Sequence, residues 1–177
     1  MQIHATLVDA TAARLIAAGV CGGNIAKDRD EPADMSELPI AIVHVMADKA
    51  RADGGPRTGV PDFRHELALC VDVYAKGQSG AGVKGALYAA GEAVLQALLT
   101  DAAWLAIGDG VASIEQSYLL PKEGDYITSG LRIELVVLHA SVWHPSTTGL
   151  PDFETAAIGV DLGGGVSVGA EIELPGE

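Results

Sequence analysis

Aromatic residues are scarce in this 177-residue chain, at 5%, although 49% of it is hydrophobic. Its core must therefore be built from small and aliphatic side chains, and the apolar fraction argues against general disorder. Basic residues are also few: 11 Lys and Arg stand against 24 Asp and Glu, a formal charge of −13. That balance argues against a domain that grips DNA or RNA, because counterion release needs Lys and Arg facing phosphate. It suits a protein that stays soluble, or one lining a path to which DNA should not stick. The two cysteines, Cys21 and Cys70, make no CxxC pair. The opening Met1-Gln2-Ile3-His4 has neither the basic nor the apolar part of a secretory leader. No apolar run approaches the length of a membrane span. The expectation is a cytoplasmically made protein, not in a membrane, with two reduced thiols.

What is present is a clear change of period. From Phe63 to Ala75, the residues Phe63, His65, Leu67, Leu69, Val71, Val73 and Ala75 share one face of a strand. Arg64, Glu66, Ala68, Cys70, Asp72 and Tyr74 share the other, which reads as open to solvent or to a neighbour at its charged positions. After the breaker Lys76-Gly77-Gln78-Ser79-Gly80, the residues Val83, Leu87, Ala90, Val94 and Leu98 form a helical stripe. Upstream, residues 2–18 read as a helix with Val8, Thr11, Leu15 and Ala18 on its stripe, flanked by Leu7 and Ile16. Asn24 to Glu37 reads as a polar surface connection. Leu38 to Ala47 is a strand apolar on both faces, hence central or covered on both sides. Asp48 to Asp62 reads as a long loop holding Lys49, Arg51 and Arg57, a first candidate for a contact surface. Downstream, Trp104 folds back onto the sheet. Val111–Leu120 and Tyr126–Trp143 are strands joined at Pro121–Asp125.

The order α-β-β-α-β-β predicts an α+β domain over residues 1–145: a four-stranded antiparallel or mixed sheet with helices packed on it. Residues 146–177 read as a linker and a glycine-tipped β-hairpin extension carrying Ile158, Val160, Val166 and Val168. Two strands alone are marginal in water, so this extension needs another surface.

The chemistry-bearing patterns are thin. His44, His65 and His139 each sit mid-strand on an apolar face, so three strands could converge on a metal. No carboxylate is expected on those faces and no HxH or HxxxH spacing occurs, so the reading is no metal and no cofactor. Gly-x-Ser-x-Gly is absent, and Ser79 lacks an elbow context. Cys70 in a regular strand reads as structural. Gly77-Gln78-Ser79-Gly80-Ala81-Gly82 lacks the Gly-Lys-Ser/Thr ending of a phosphate loop, and its glycines serve to turn the chain and start the helix. No catalytic residue is assigned and no enzyme is predicted.

The element order and texture resemble the tail terminator (tail completion) proteins of long-tailed bacteriophages. The resemblance rests on an N-terminal helix, the strand entered by Leu38-Pro39-Ile40-Ala41-Ile42-Val43, and the strand His65-Glu66-Leu67-Ala68-Leu69-Cys70-Val71-Asp72-Val73-Tyr74. The helix Ala89–Leu99 and the strand Leu131-Arg132-Ile133-Glu134-Leu135-Val136-Val137 complete it. It covers about residues 2–144; the C-terminal hairpin goes beyond it. It implies a virion protein assembled in the host cytoplasm. There it would form a ring, typically a hexamer, that caps the tail tube and meets the head-side connector, while DNA passes the lumen without specific binding. Contact residues would be Lys49, Arg51, Arg57, Arg64, Glu66, Asp72 and the hairpin positions. The alternatives are another neck or tail-tube subunit, a host interaction module, and a small-molecule- or metal-binding α+β enzyme using the strand histidines.

Overall fold

The computed structural model describes residues 2–29, 31, 33–53, 62–122, 126–143, 155–161 and 167–173. Two compact units divide the chain, Met1–Trp143 and His144–Glu177. In the first, the helices are α1 (Gln2–Ala17), α2 (Gly80–Leu99) and α3 (Ala102–Leu105). Its strands are β1 (Ile25–Lys27), β2 (Ile40–Ala52), β3 (Asp62–Gly77), β4 (Gly110–Lys122) and β5 (Ile127–Val142). They form one sheet in the order β1-β2-β3-β5-β4. β1 runs parallel to β2 and the other pairings are antiparallel, so the α+β class holds with a mixed sheet of five strands rather than four.

The additional strand, β1, lies inside the stretch expected to be a plain surface connection. Its three residues pair from Ile25–Ala41 to Lys27–Val43. Just before it, the Asn24 side-chain amide donates to the carbonyls of Glu37 (2.6 Å) and Pro39 (3.2 Å). Three residues are too few to show an alternation, so pattern reading passes over them.

β2 and β3 also run further than expected. Lys49 and Arg51 are strand residues, opposite Glu66 and Arg64, not loop residues. Arg57 and the rest of 54–61 lie outside the described residues. Between Val45 and Ala47 the β2–β3 register shifts by one, with Met46 as the extra residue. Such a bulge changes which face the following residues present.

The core lies on the helical face of the sheet. Leu7, Val8, Ala12 and Leu15 of α1 and Val83, Leu87, Val94 and Leu98 of α2 meet Val43, Leu69, Val71, Leu131, Ile133 and Leu135. Ile16 is exposed instead of joining this stripe. Trp104 is buried as expected, and its indole N–H donates to the buried Thr11 hydroxyl at 2.8 Å. That bond fastens α3 to α1 and satisfies both polar groups inside the core. The Ser79 hydroxyl caps α2 by accepting from the Gly82 N–H at 3.2 Å, so the glycine-serine turn does start the helix.

In the second unit, β6 (Thr155–Asp161) and β7 (Ser167–Glu173) pair antiparallel from Thr155–Glu173 to Asp161–Ser167. Ile158, Val160 and Val168 belong to these strands. Val166 and the glycines 163–165 lie outside the described residues.

Gly91 shows how closely α2 approaches the sheet. A Cβ there would come 2.6 Å from Leu131 Cδ2, whereas one at Gly85 would meet open space. Gly85→Ala should stabilise the fold by up to about 1 kcal/mol, the helix-propensity gain. Gly91→Ala should cost about 1–2 kcal/mol net, because overpacking exceeds that gain. Chemical denaturation of the two variants checks the split; equal effects would count against close α2–β5 packing.

Candidate functional site

Polar side chains gather at two places on opposite faces of the sheet. On the helical face, the β3–β5 register sets His65 opposite His139, and their rings stack with centroids 4.2 Å apart and planes 11° apart. Beyond the bulge, Asp48 pairs with Leu67 and so turns to this same face. Its Oδ1 lies 2.9 Å from His65 Nδ1, and its Oδ2 lies 2.9 Å from Nε2 of His4 in α1. Burial raises the Asp48 carboxyl, but hydrogen bonds from His65 and His4 outweigh it and hold the group below its ordinary value. An ionised Asp48 only accepts, so His65 Nδ1 and His4 Nε2 carry the donated protons. His65 Nε2 then accepts from the Ser141 hydroxyl at 2.7 Å, and the Trp143 indole N–H donates to that oxygen at 3.1 Å.

Two expectations change here. A carboxylate does share the histidine face, because the bulge moves Asp48 onto it. His44 does not join His65 and His139; it sits before the bulge, paired with Cys70, on the other face. Strand alternation shows neither change, since a one-residue bulge leaves no periodic trace. The order Ser141–His65–Asp48 matches the hydrogen-bonding order of a serine hydrolase triad. A hydrolase also needs a substrate pocket and oxyanion donors over the serine, and the groove described next lies on the opposite face.

On that opposite face, Arg132 donates from Nε and Nη2 to the two oxygens of Asp72, each at 2.7 Å. Asp72 is 4% exposed. It was expected on a free outer strand face; instead its carboxylate is occupied by Arg132 and covered. The pair follows from register, which sets Asp72 directly opposite Arg132. The guanidinium is pushed above its ordinary value by the hydrogen bond to Asp72, as a bidentate charge-assisted pair requires. His44 Nε2 stands 3.9 Å from the same carboxylate. A groove of about 640 Å³ opens beside them, lined by Met35 and Leu38 ahead of β2 and by Ile42, His44, Asp72 and Tyr74 of the sheet. Its buried charge is already paired, and burial followed by the Asp72 charge raises the Tyr74 phenol. Arg29 and Glu31 also line the groove, and Arg29 donates to Glu37 at 2.9 Å.

The remaining expected contact residues cluster at the far end of β2 and β3. Lys49 pairs with Glu66 and Arg51 with Arg64, while Arg64 also holds Asp53 in an exposed ion pair. At the other side of the sheet, residues 112–118 of β4 are all exposed. Ile114 and Tyr118 are each 41% exposed. Tyr118 meets Tyr88 of α2 edge-on at 5.1 Å, and Lys84 lies 5.6 Å from the Tyr88 ring. Sequence reading identified this strand but had no signal that it lies at an edge.

Breaking the Asp72–Arg132 pair should cost unequally. Arg132→Met strands a buried carboxylate and should cost about 3 kcal/mol. Asp72→Ala frees a guanidinium that can turn to water and should cost about 1–2 kcal/mol. Denaturation midpoints of the two variants decide this, and the reverse ranking would refute it. The thiols should be inert in the folded chain. Burial pushes Cys70 up to about 11, and Cys21 likewise to about 11. At pH 8 about one thiol in a thousand is then thiolate. Labelling with a disulfide reagent should run orders of magnitude faster after denaturation.

No protein-family model matches this chain, and no curated protein matches it. Among solved structures it is similar to a chain of the virion of a native gene transfer agent particle. The TM-score is 0.39 and the identity 15%, over 76% of this chain and 97% of that one.

Proposed function

We propose that the chain is a structural subunit of a phage-type particle, of the tail-terminator kind. It would close head-to-tail into a ring, typically of six, on the end of a tail tube and meet the head-side connector on the other side. The observation that supports this most is β4. It is a 13-residue strand at the edge of the sheet, with Ile114 and Tyr118 exposed beside Tyr88. Long edges with exposed apolar groups pair with other chains unless charge, proline or a covering segment blocks them. From Val111 to Leu120 Glu115 is the single charge, and Pro121 and Lys122 stand only at the strand's end.

A ring needs two different patches that meet across each interface. The β4 edge supplies one. The far end of β2–β3 supplies the other: Lys49, Arg51 and Arg64 stand there among Asp53, Asp62 and Glu66, a mixed-charge surface suited to a neighbour of complementary pattern. Glu66 belongs to this patch as the cross-strand partner of Lys49; the buried Asp72 does not. The β6–β7 hairpin gives a further contact, since two strands alone are marginal. The acidic balance leaves DNA free to pass.

Light scattering and native mass spectrometry on the full chain, alone and with tail tubes, test the proposal. The expected result is a closed oligomer of fixed number or a cap on tube ends. Ile114→Lys with Tyr118→Lys should release folded monomers, because surface changes shift stability by about 0.5 kcal/mol or less each. A wild-type chain that stays monomeric at high concentration and leaves tube ends bare would sink the proposal. So would a doubly substituted chain that assembles like wild type.

A further inference from the structure

We propose that Asp48, His65 and His139, joined by His4, form a binding site for one borderline divalent cation of the zinc class, which cross-links α1 to the sheet. Ligand atoms of Asp48, His65 and His139 all lie within 4.8 Å of one another. Three atoms about 4.8 Å apart surround a point about 2.8 Å from each, beyond zinc–ligand distances of about 2.0–2.2 Å, so the side chains must move to close the shell. His4 lies outside that cluster of three; its Nε2 donates to the Asp48 carboxylate at 2.9 Å, so it must give up that proton and swing inward to serve as the fourth donor. One carboxylate and three imidazoles are a donor set that suits zinc, cobalt or nickel rather than magnesium or calcium.

A second observation points to a missing partner. His139 Nε2 is buried and has no hydrogen-bond partner, on a side chain only 9% exposed. Its Nδ1 faces the Ala140 carbonyl at 3.4 Å. In the tautomer that donates from Nδ1 to this carbonyl, Nε2 presents a lone pair with nothing to receive it. An unsatisfied buried acceptor is costly in a folded chain; a metal ion would satisfy it. His65 has the complementary outer partner. When a cation takes Nδ1, the ring proton moves to Nε2 and donates to Ser141, 2.7 Å away, as metal-bound imidazoles ordinarily do.

The stack sets what must move. An imidazole lone pair lies in the ring plane, so two rings 11° from parallel cannot both aim at one ion. His65 is held at both nitrogens, whereas His139 has one long contact to its own neighbour. His139 is therefore the ring that turns, and binding breaks the stack.

The test uses the full chain without an affinity tag, stripped by chelator and titrated with Co²⁺ and then Zn²⁺. The expected result is one equivalent of Co²⁺ giving the strong visible bands of a tetrahedral N/O site, displaced stoichiometrically by Zn²⁺. The Tm should rise by roughly 5 °C or more at free zinc about a hundredfold above Kd. His139→Leu keeps the bulk and removes the donor; with Asp48→Asn, it should weaken binding at least tenfold while far-ultraviolet circular dichroism stays native. His44→Ala, on the opposite face, should bind like wild type. Failure of wild type to take up either ion with fixed stoichiometry overturns the proposal whatever the variants do. Unchanged binding in a folded His139→Leu chain, or loss of binding in His44→Ala, overturns it too.

Discussion

The pairing of β3 with β5 governs both polar sites and the core between them. Each residue of the 16-residue β3 has a partner on β5, from Asp62–Val142 to Gly77–Ile127. That one register sets Leu69 against Leu135 and Val71 against Ile133 under the helices, Asp72 against Arg132 on the far face, and His65 against His139 near the end. A slip of one residue would turn every apolar side chain of β3 out of the core. The leucines and valines thus fix the register through burial, and the charged and imidazole pairs inherit their placement from it. The Asp72 carboxylate is tolerable inside the sheet only because that register delivers a guanidinium to both its oxygens.

The second determinant is local. Met46 adds one residue to β2 without adding one to β3. Before it, Ile42 and His44 face the groove; after it, Asp48 faces the helices. The same side-chain alternation that makes a strand legible makes the bulge invisible, because each half of β2 is regular by itself. For this reason the sequence pattern places β3, α2 and the apolar faces of β5 well, yet leaves Asp48 in a loop and the histidine face without a carboxylate. β1 escapes for a different cause: its parallel pairing depends on Asn24 and on the segment before β2, which are contacts rather than periodicity. Asp72 was read as exposed because a charged residue on an alternating strand usually is. What covers it is a cross-strand arginine 60 positions away, and no local window contains that.

The two faces carry different capacities. The groove side holds its buried charge in the Asp72–Arg132 pair, with Arg29 and Glu31 at its margin. The helical side holds a carboxylate bridged by two imidazoles and a third imidazole with a bare buried nitrogen, so it has donor capacity left over. Ser141 extends that chain of hydrogen bonds, which runs between the structural elements α1, β2, β3 and β5. Its natural consequence is to hold those elements together.

Adjacent residues of the same strands serve both faces. Asp48 and His65 turn inward while their neighbours Lys49 and Arg64 turn outward, one residue apart on each strand. Fixing the inner pair fixes the backbone that presents the outer bases. β5 restrains the same end from the other side, since Asp62–His65 pair with His139–Val142. On the helical face, hydrogen bonds to Asp48 from His4 of α1 and His65 of β3 tie this end to the helix layer. The polar cluster and the charged outer face are in this sense two sides of one strand pair, with the bulge at Met46 deciding which residues belong to each.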